Sequence, residues 1–350
     1  MTSPPTSDPP EFVEKLLHEA LAVRASDIYL LPGRDALTVS CRSPGGESEL
    51  AVVPRDYGLQ CVARIKVLAG ILTYRTSIAQ DGAIHGRDGF EGVELRVATL
   101  PTLFGERVTI RVLNQGQKPK RLAELGFADS AIEGLQRLLE RPTGLLVFTG
   151  PTGSGKTTTI YALVRELLER GENPSGIITI EDPIECEIDG IAQIQVRRND
   201  DEWSYLQALR AALRHDVKTL VIGEMRDAEV VRVVLDAALT GHRVITTYHA
   251  GDIASVYARM LHQGFEPFLI AAAVTGVVSQ RLFHRGDGAP AIPIAAVLEV
   301  DDPWRDRVID NPGLTELRRY VAEIPGADLE AELRAAIESG ILAGAGDSLL

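Results

Sequence analysis

The chain has 350 residues, enough for two domains with separate cores, and its 45% hydrophobic and 24% charged residues are typical of globular proteins. The formal net charge of −13 argues against a nucleic-acid binder, because a surface that follows phosphates needs excess Lys and Arg. The sequence has no secretory signal pattern and no apolar run long enough to span a membrane. We therefore expect a soluble protein that does not insert directly into a membrane.

The cysteines predict no metal or disulfide chemistry. Cys41, Cys61 and Cys186 are odd in number, far apart and without C-x-x-C spacing. This pattern is typical of reduced thiols in a cytoplasmic protein and indicates that the chain holds no zinc.

The first third of the chain predicts a small α+β domain. Residues 1–10, rich in Pro, Ser and Thr, are expected to be a disordered lead, and residues 11–114 to form the domain. Its predicted helices span residues 11–23 and 57–69, and its predicted strands span residues 27–31, 36–42, 92–99 and 106–113.

The rest of the chain predicts an α/β domain. After a polar linker over residues 115–122, long helical stretches alternate with short runs of Val, Ile, Leu and Thr, a pattern typical of a parallel sheet covered on both faces. The predicted strands span residues 145–149, 176–180, 219–222 and 243–247, with a further strand over 294–300. Residues 268–278 are expected to form a buried helix and residues 329–339 a helical tail, so that the domain spans residues 123–350.

A G-x-x-x-x-G-K-T octapeptide follows the first strand of this domain and precedes a helix predicted over residues 156–170. In such a loop, backbone N–H groups and the positive end of the helix bind phosphates, Lys156 reaches the β- and γ-phosphates, and the Thr157 hydroxyl holds Mg²⁺. The chain is therefore expected to bind a nucleoside triphosphate. The expected binding residues are Gly150, Pro151, Thr152, Gly153, Ser154, Gly155, Lys156, Thr157 and Thr158.

Polar residues follow the other three predicted strands, and parallel strands deliver their carboxyl ends to one crevice. Glu224 is the candidate for polarising the attacking water, and His249 for contacting the γ-phosphate. Glu181 and Asp182 could hold Mg²⁺ through its waters or orient the nucleophile. The structural alternatives are a helix N-cap before Pro183 for this pair, an ion pair with Arg226 for Glu224, and a purely structural role for His249.

These motifs together resemble the ATPases of type II secretion and type IV pilus systems. The octapeptide is similar to that family's Walker A motif, residues 179–185 to its Asp box, residues 221–227 to an atypical Walker B motif with Glu, and residues 239–249 to its His box. Residues 25–28, 64–70, 80–82, 95–101 and 105–107 are similar to its PAS-like amino-terminal domain. The resemblance covers about residues 12–285.

The resemblance implies a RecA-like P-loop core preceded by a PAS-like domain, in a homo-hexameric ATPase. Such a motor would be recruited to the cytoplasmic face of the inner membrane by a platform protein. The family's arginines that reach the phosphates from the amino-terminal domain correspond to Arg96 and Arg111, with Arg107 beside them; without the resemblance, Arg96 and Arg111 would be ordinary charges on a strand face.

The sequence departs from the family pattern in four places. It lacks the four-cysteine zinc insert of the assembly ATPases, as retraction ATPases do, and the extra amino-terminal docking domain of the secretion enzymes is expected to be missing. Residues 216–218 replace the usual Asp-Pro before the third strand, and residues 250–252 replace the usual Thr-Asn-Asp after the histidine.

Three functions stay open at this point. An ATPase motor for secretion or for pilus or pseudopilus assembly is the leading one, with a pilus retraction ATPase as its nearest alternative. A RecA-like helicase or translocase shares the core but is disfavoured by the acidic balance. A nucleotide-binding regulatory member with little turnover is the third.

Overall fold

The computed structural model describes residues 8–43, 46–84, 93–114, 118–196, 203–283 and 291–342. Two compact units divide the chain, Met1–Gln117 and Lys118–Leu350. Among the described residues, no helix combines the length and apolar character needed to cross a bilayer. The identification of the units as the two domains predicted above, with those bounds, stays a prediction.

The first unit is an antiparallel sheet with two helices. Its elements are α1 (Pro9–Ala22), β1 (Asp27–Pro32), β2 (Ala36–Ser43), β3 (Gly46–Pro54), α2 (Arg55–Leu68), β4 (Gln80–Ile84), β5 (Val93–Thr102) and β6 (Gly105–Asn114). The strand order is β3-β2-β1-β6-β5-β4, with each neighbouring pair antiparallel. The helices share with the sheet one apolar core that includes Leu16, Ile28 and Ile65.

The sequence prediction was wrong at three points in this unit. Residues 9 and 10 are helical rather than disordered, because Asp8 caps the helix by accepting from the Glu11 N–H at 3.0 Å and prolines occupy its first positions. Residues 1–7 lie outside the described part. Strands β3 and β4 were missed because both are edge strands, held by backbone pairing on one side, and β3 is mostly exposed.

A buried ion pair joins α2 to β6. Lys66 Nζ lies 2.8 Å and 3.0 Å from the two carboxylate oxygens of Glu106 and donates to the Arg75 carbonyl at 2.8 Å. Lys66 is 1% exposed and Glu106 6%. Water is thus excluded from both charges, and each depends on the other for its stability.

We predict that Lys66→Met, which keeps the length of the side chain, lowers the stability of the α2–β6 region by about 3–5 kcal/mol because Glu106 stays buried without its cation. Hydrogen exchange of α2 amides in the full chain measures this local stability. Lys15→Met is the control, since Lys15 lies 3.9 Å from Glu19 with its side chain 74% exposed and such pairs contribute little. Equal exchange in the two variants would contradict the prediction.

The second unit is an α/β sandwich. Its elements are α3 (Asp129–Glu140), β7 (Gly144–Thr149), α4 (Lys156–Glu169), β8 (Ile177–Glu181), β9 (Ala192–Gln195), α5 (Tyr205–Ala212), β10 (Thr219–Met225), α6 (Ala228–Leu239), β11 (Arg243–Tyr248), α7 (Ile253–His262), α8 (Pro267–Ala273), β12 (Val274–Phe283), β13 (Ile292–Glu299), α9 (Asp302–Ile309), α10 (Leu314–Ala322) and α11 (Leu329–Glu338).

The sheet of this unit has the strand order β13-β12-β7-β11-β10-β8-β9. Among these described strands, β12 and β13 pair antiparallel and all other neighbours pair parallel. Successive residues of the central strand β7 face opposite sides. Leu145 and Val147 belong to one apolar cluster, Leu146 and Phe148 to another. Both faces are therefore covered, and the predicted α/β fold with a parallel-dominated sheet is confirmed.

The predicted buried helix over residues 268–278 was wrong in its second half. Helix α8 ends at Ala273, and Val274 begins β12 with extended dihedral angles, φ −75° and ψ 123°. Valines at 274, 277 and 278 suit a strand, and pairing with β7 and β13 stabilises it. The strand predicted over residues 294–300 is confirmed as β13.

Candidate functional site

The octapeptide joins the carboxyl end of β7 to the start of α4, as predicted. Gly150, Gly153 and Gly155 have φ angles of +136°, +78° and +84°, which favour glycine. A Cβ on Gly150 would lie 2.2 Å from the backbone oxygen of Gln280, so no larger residue fits there. The loop thus leads its backbone into the amino terminus of a 14-residue helix, the geometry that binds phosphate groups.

Lys156, the first residue of α4, folds back on this loop. Its Nζ donates to the carbonyls of Gly150 at 2.9 Å and Pro151 at 2.8 Å. Partial burial lowers the pKa of the Lys156 ammonium, and the nearby negative charge of Glu224 opposes that shift. The Glu224 carboxylate is therefore near enough to the Lys156 ammonium for its charge to act on it.

Glu224 lies near the end of β10 between two nitrogen-bearing side chains. Its Oε2 accepts from Arg226 Nε at 2.7 Å, and its Oε1 lies 2.7 Å from His249 Nε2. The Glu224 side chain is 14% exposed and that of His249 56%. The ion pair with Arg226 that was considered as an alternative is present, but Glu224 also contacts His249, so the pair does not account for its whole environment.

Hydroxyl groups join the ends of the neighbouring strands. Thr247 Oγ1 on β11 donates to the Gly223 carbonyl at 2.6 Å. Thr149 Oγ1 on β7 donates to the Ala250 carbonyl at 2.6 Å and accepts from the Ala250 N–H at 3.2 Å. These bonds fix His249 and Glu224 relative to the strand that leads into the phosphate loop.

Glu181, the last residue of β8, lies in a different environment. It is 4% exposed, and its carboxylate accepts from Thr179 Oγ1 at 2.5 Å, from the Tyr161 hydroxyl, and from Gln193 Nε2 at 3.3 Å. Burial raises the pKa of Glu181 even though all three donors act to lower it. To bind a hydrated metal ion, this carboxylate would have to exchange protein donors, and its predicted metal role stays a prediction.

The N-cap alternative for Glu181 and Asp182 was wrong, because residues 182–191 contain no helix. Thr157 is half-buried and Thr158 exposed in the first turn of α4. Among the described residues, no group of three or more His, Cys, Asp or Glu side chains is placed to hold a metal. The assignment of Thr157, Glu181 and Asp182 as magnesium ligands stays a prediction.

The three predicted arginines belong to the first unit. Arg96 Nε donates to Glu94 at 3.1 Å, Arg111 Nε donates to Asp27 at 3.1 Å, and Arg107 lies over the Tyr29 ring, 5.9 Å from its centre. Their predicted contact with phosphates stays a prediction.

Sequence reasoning missed Tyr161, which lies on α4 and is 5% exposed. Its hydroxyl donates to Glu181 and accepts from the N–H groups of Glu185 at 3.0 Å and Cys186 at 3.3 Å. It thereby ties the helix after the phosphate loop to the segment that follows β8. A tyrosine on the apolar face of a predicted helix is the available signal, since a buried hydroxyl needs a partner.

Comparison with known proteins yields one family. The sequence model of the family described as "Type II/IV secretion system protein" matches residues 7–302. The chain is 36% identical over 275 residues to the type IV pilus assembly ATPase PilB of Thermus thermophilus, and 38% over 272 residues to the type II secretion system ATPase E of Vibrio cholerae. These alignments cover 79% and 78% of the chain but 30% and 53% of the relatives, so the chain spans only part of their length.

Solved structures share the fold. The ATPase DotB of Legionella pneumophila matches with a TM-score of 0.79 and 23% identity, over 97% of this chain and 95% of that one. The pilus retraction motor PilT, solved with bound ADP, matches with a TM-score of 0.70 and 25% identity, over 93% and 92% of the two chains.

We predict that Tyr161→Phe destabilises the second unit by about 1–3 kcal/mol, because Glu181 loses a donor and two N–H groups lose their acceptor. Urea unfolding followed by tryptophan fluorescence measures this, since Trp203 and Trp304 both belong to that unit. Tyr320→Phe is the control, because the Tyr320 hydroxyl donates to Glu316 at 2.6 Å on the surface. Unfolding midpoints that shift equally would contradict the prediction.

Proposed function

The chain belongs to the type II/IV secretion system protein family, and we propose that it is an ATPase of a motor for type II secretion or for type IV pilus or pseudopilus assembly. Relatives named for type II secretion and pilus assembly, at 38% and 36% identity, support this choice over retraction. The match to PilT, named a retraction motor, at 25% identity keeps retraction as the second candidate.

One observation carries the proposal: the ends of three parallel strands bring the phosphate loop, Glu224 and His249 together. Phosphoryl transfer needs cations and N–H donors around the transferring group and an oriented water. Here the loop and Lys156 supply the donors, and Glu224 is a carboxylate near enough for its charge to act on the Lys156 ammonium.

Each side chain has one role in the proposed reaction. Loop N–H groups and Lys156 bind the β- and γ-phosphates, and Thr157 contributes its hydroxyl to Mg²⁺, whose charge offsets that of the phosphates. Glu224 polarises the attacking water. His249, which contacts Glu224, reports the presence of the γ-phosphate to the segment after β11.

The assembly proposed for this chain is a homo-hexamer that a platform protein recruits to the cytoplasmic face of the inner membrane, without nucleic acid. Family membership supports it. Arg96, Arg107 and Arg111 are proposed to offset phosphate charge from the first unit, a task for which the guanidinium group is suited.

We predict that Lys156→Ala weakens ATP binding at least about 10- to 100-fold, because a hydrogen bond to a charged group contributes about 1.5–3 kcal/mol. Titration with a fluorescent ATP analogue measures the Kd. Lys218→Ala is the control, since Lys218 precedes β10 at the opposite edge of the sheet and its side chain is 74% exposed. An unchanged Kd in Lys156→Ala would remove the loop from nucleotide binding.

We predict that Glu224→Gln binds ATP within a few-fold of wild type but lowers phosphate release about 10²–10⁴-fold, because an amide cannot accept the proton of the attacking water. Rates are measured on the assembled protein. The molar mass of the assembly, determined in the presence of ATP, shows whether six copies associate. Glu229→Gln, on exposed α6 surface where Glu229 pairs with Arg210 at 2.8 Å, is the control. If Glu224→Gln hydrolyses ATP as fast as the wild-type protein, Glu224 does not polarise the water. If the wild-type protein itself does not hydrolyse ATP, a regulatory nucleotide-binding protein is favoured instead.

A further inference from the structure

Gln280 lies on β12 directly beside the phosphate loop. The register pairs Ser279 with Thr149, so the next residue of β12 comes alongside Gly150. Gln280 is 1% exposed, and Val277 and Val278 before it are fully buried. A buried primary amide among apolar residues is costly unless its hydrogen bonds are made.

The partners of this amide belong to the loop and to the first turn of α4. Gln280 Nε2 donates to the Ser154 carbonyl at 2.7 Å, and Gln280 Oε1 accepts from Thr159 Oγ1 at 3.0 Å. The Ser154 carbonyl can only accept, so the NH₂ group of the amide must face it. The orientation of the amide is thus fixed by its partners.

The backbone of the loop also rests against Gln280 at both ends. A Cβ on Gly150 would lie 2.2 Å from the Gln280 backbone oxygen, and a Cβ on Gly155 would lie 3.0 Å from Gln280 Nε2. The first and last glycines of the loop therefore pack on the same residue. This shared contact fixes the distance between the two ends of the loop.

We propose that Gln280 is a positioning residue for the phosphate loop, which directs the Gly155 N–H toward the phosphates. In a trans peptide the carbonyl and the following N–H point in opposite directions. The bond from Gln280 to the Ser154 carbonyl therefore turns the N–H of the same peptide, that of Gly155, into the hollow of the loop. The proposal rests on the nucleotide binding proposed above and assigns no contact between Gln280 and the nucleotide.

The test is Gln280→Glu, which keeps the shape of the side chain and places an ionisable oxygen against the Ser154 carbonyl. The ionised carboxylate repels that carbonyl, whereas the protonated carboxyl donates to it. Burial raises the pKa of such a carboxyl, so that it takes up a proton as the pH falls. We expect the Kd for a fluorescent ATP analogue, relative to wild type at the same pH, to rise about 10-fold at pH 8 and to approach the wild-type value toward pH 6.

Two further variants complete the design. Gln280→Leu cannot donate at any pH, so its affinity should be reduced equally at both pH values. Gln263→Glu is the control: the Gln263 side-chain oxygen accepts from the Tyr248 hydroxyl at 2.8 Å, an interaction that a carboxylate preserves, and its relative Kd should not change with pH. Faster hydrogen exchange in residues 150–155 of nucleotide-free Gln280→Glu at pH 8 is expected independently of binding.

The outcomes separate this proposal from the function it rests on. A wild type that binds no nucleotide overturns the proposed function. If the wild-type protein binds the analogue, two results overturn the role of Gln280 alone: the Kd of Gln280→Glu equals the wild-type Kd at both pH values, or it is higher by the same factor at both. Should Gln280→Glu fail to fold, Thr159→Val decides. It removes the hydroxyl that lies 3.0 Å from the Gln280 amide oxygen and 3.1 Å from the Gly155 carbonyl oxygen, and an unchanged Kd overturns the proposal.

Discussion

The candidate site depends on the pairing of β7 with its parallel neighbours β11 and β12. Because the strands run the same way, the residues that follow each of them emerge at one edge of the sheet. β7 supplies the phosphate loop, β11 leads into His249, and β12 carries Gln280. The Thr149 hydroxyl, bonded to both backbone groups of Ala250, holds two of these segments in register where the ladder ends.

The charges at this edge are already paired with protein groups. Lys156 uses loop carbonyls as acceptors, and Glu224 lies between Arg226 and His249. The proposed binding of a triphosphate at this edge would therefore be an exchange of partners. Lys156 would give up neutral carbonyl acceptors for a charged phosphate oxygen, and charge-assisted hydrogen bonds are roughly twice as strong as neutral ones.

The sequence predicted those parts whose signal is local. The glycine spacing of the loop and the strands β7, β8, β10, β11 and β13 were read correctly, because each of these strands is a continuous apolar run. Edge strands β3 and β4 were not predicted because they bury few side chains. Strand β12 was not predicted because its valines directly follow the alanine-rich last turn of α8, so the apolar run continues without a break. Tyr161 and Gln280 escaped because their partners are remote in sequence, 20 and 126 residues away for Glu181 and Ser154.

Glu224 and Glu181 lie at the ends of neighbouring strands but in different environments, so they suit different tasks. Glu224 contacts a guanidinium and an imidazole and is partly open to solvent, so that it can accept from a water. Glu181 is enclosed by two hydroxyls and an amide, and for it desolvation outweighs all three donors, which raises its pKa. A carboxyl with a raised pKa stabilises the fold most below its unfolded pKa, and that contribution is lost as the pH rises through the folded value. Near neutral pH the desolvation of the Glu181 carboxylate thus opposes folding. Its three hydrogen bonds offset part of that cost, and the one from Tyr161 also ties α4 to the end of β8.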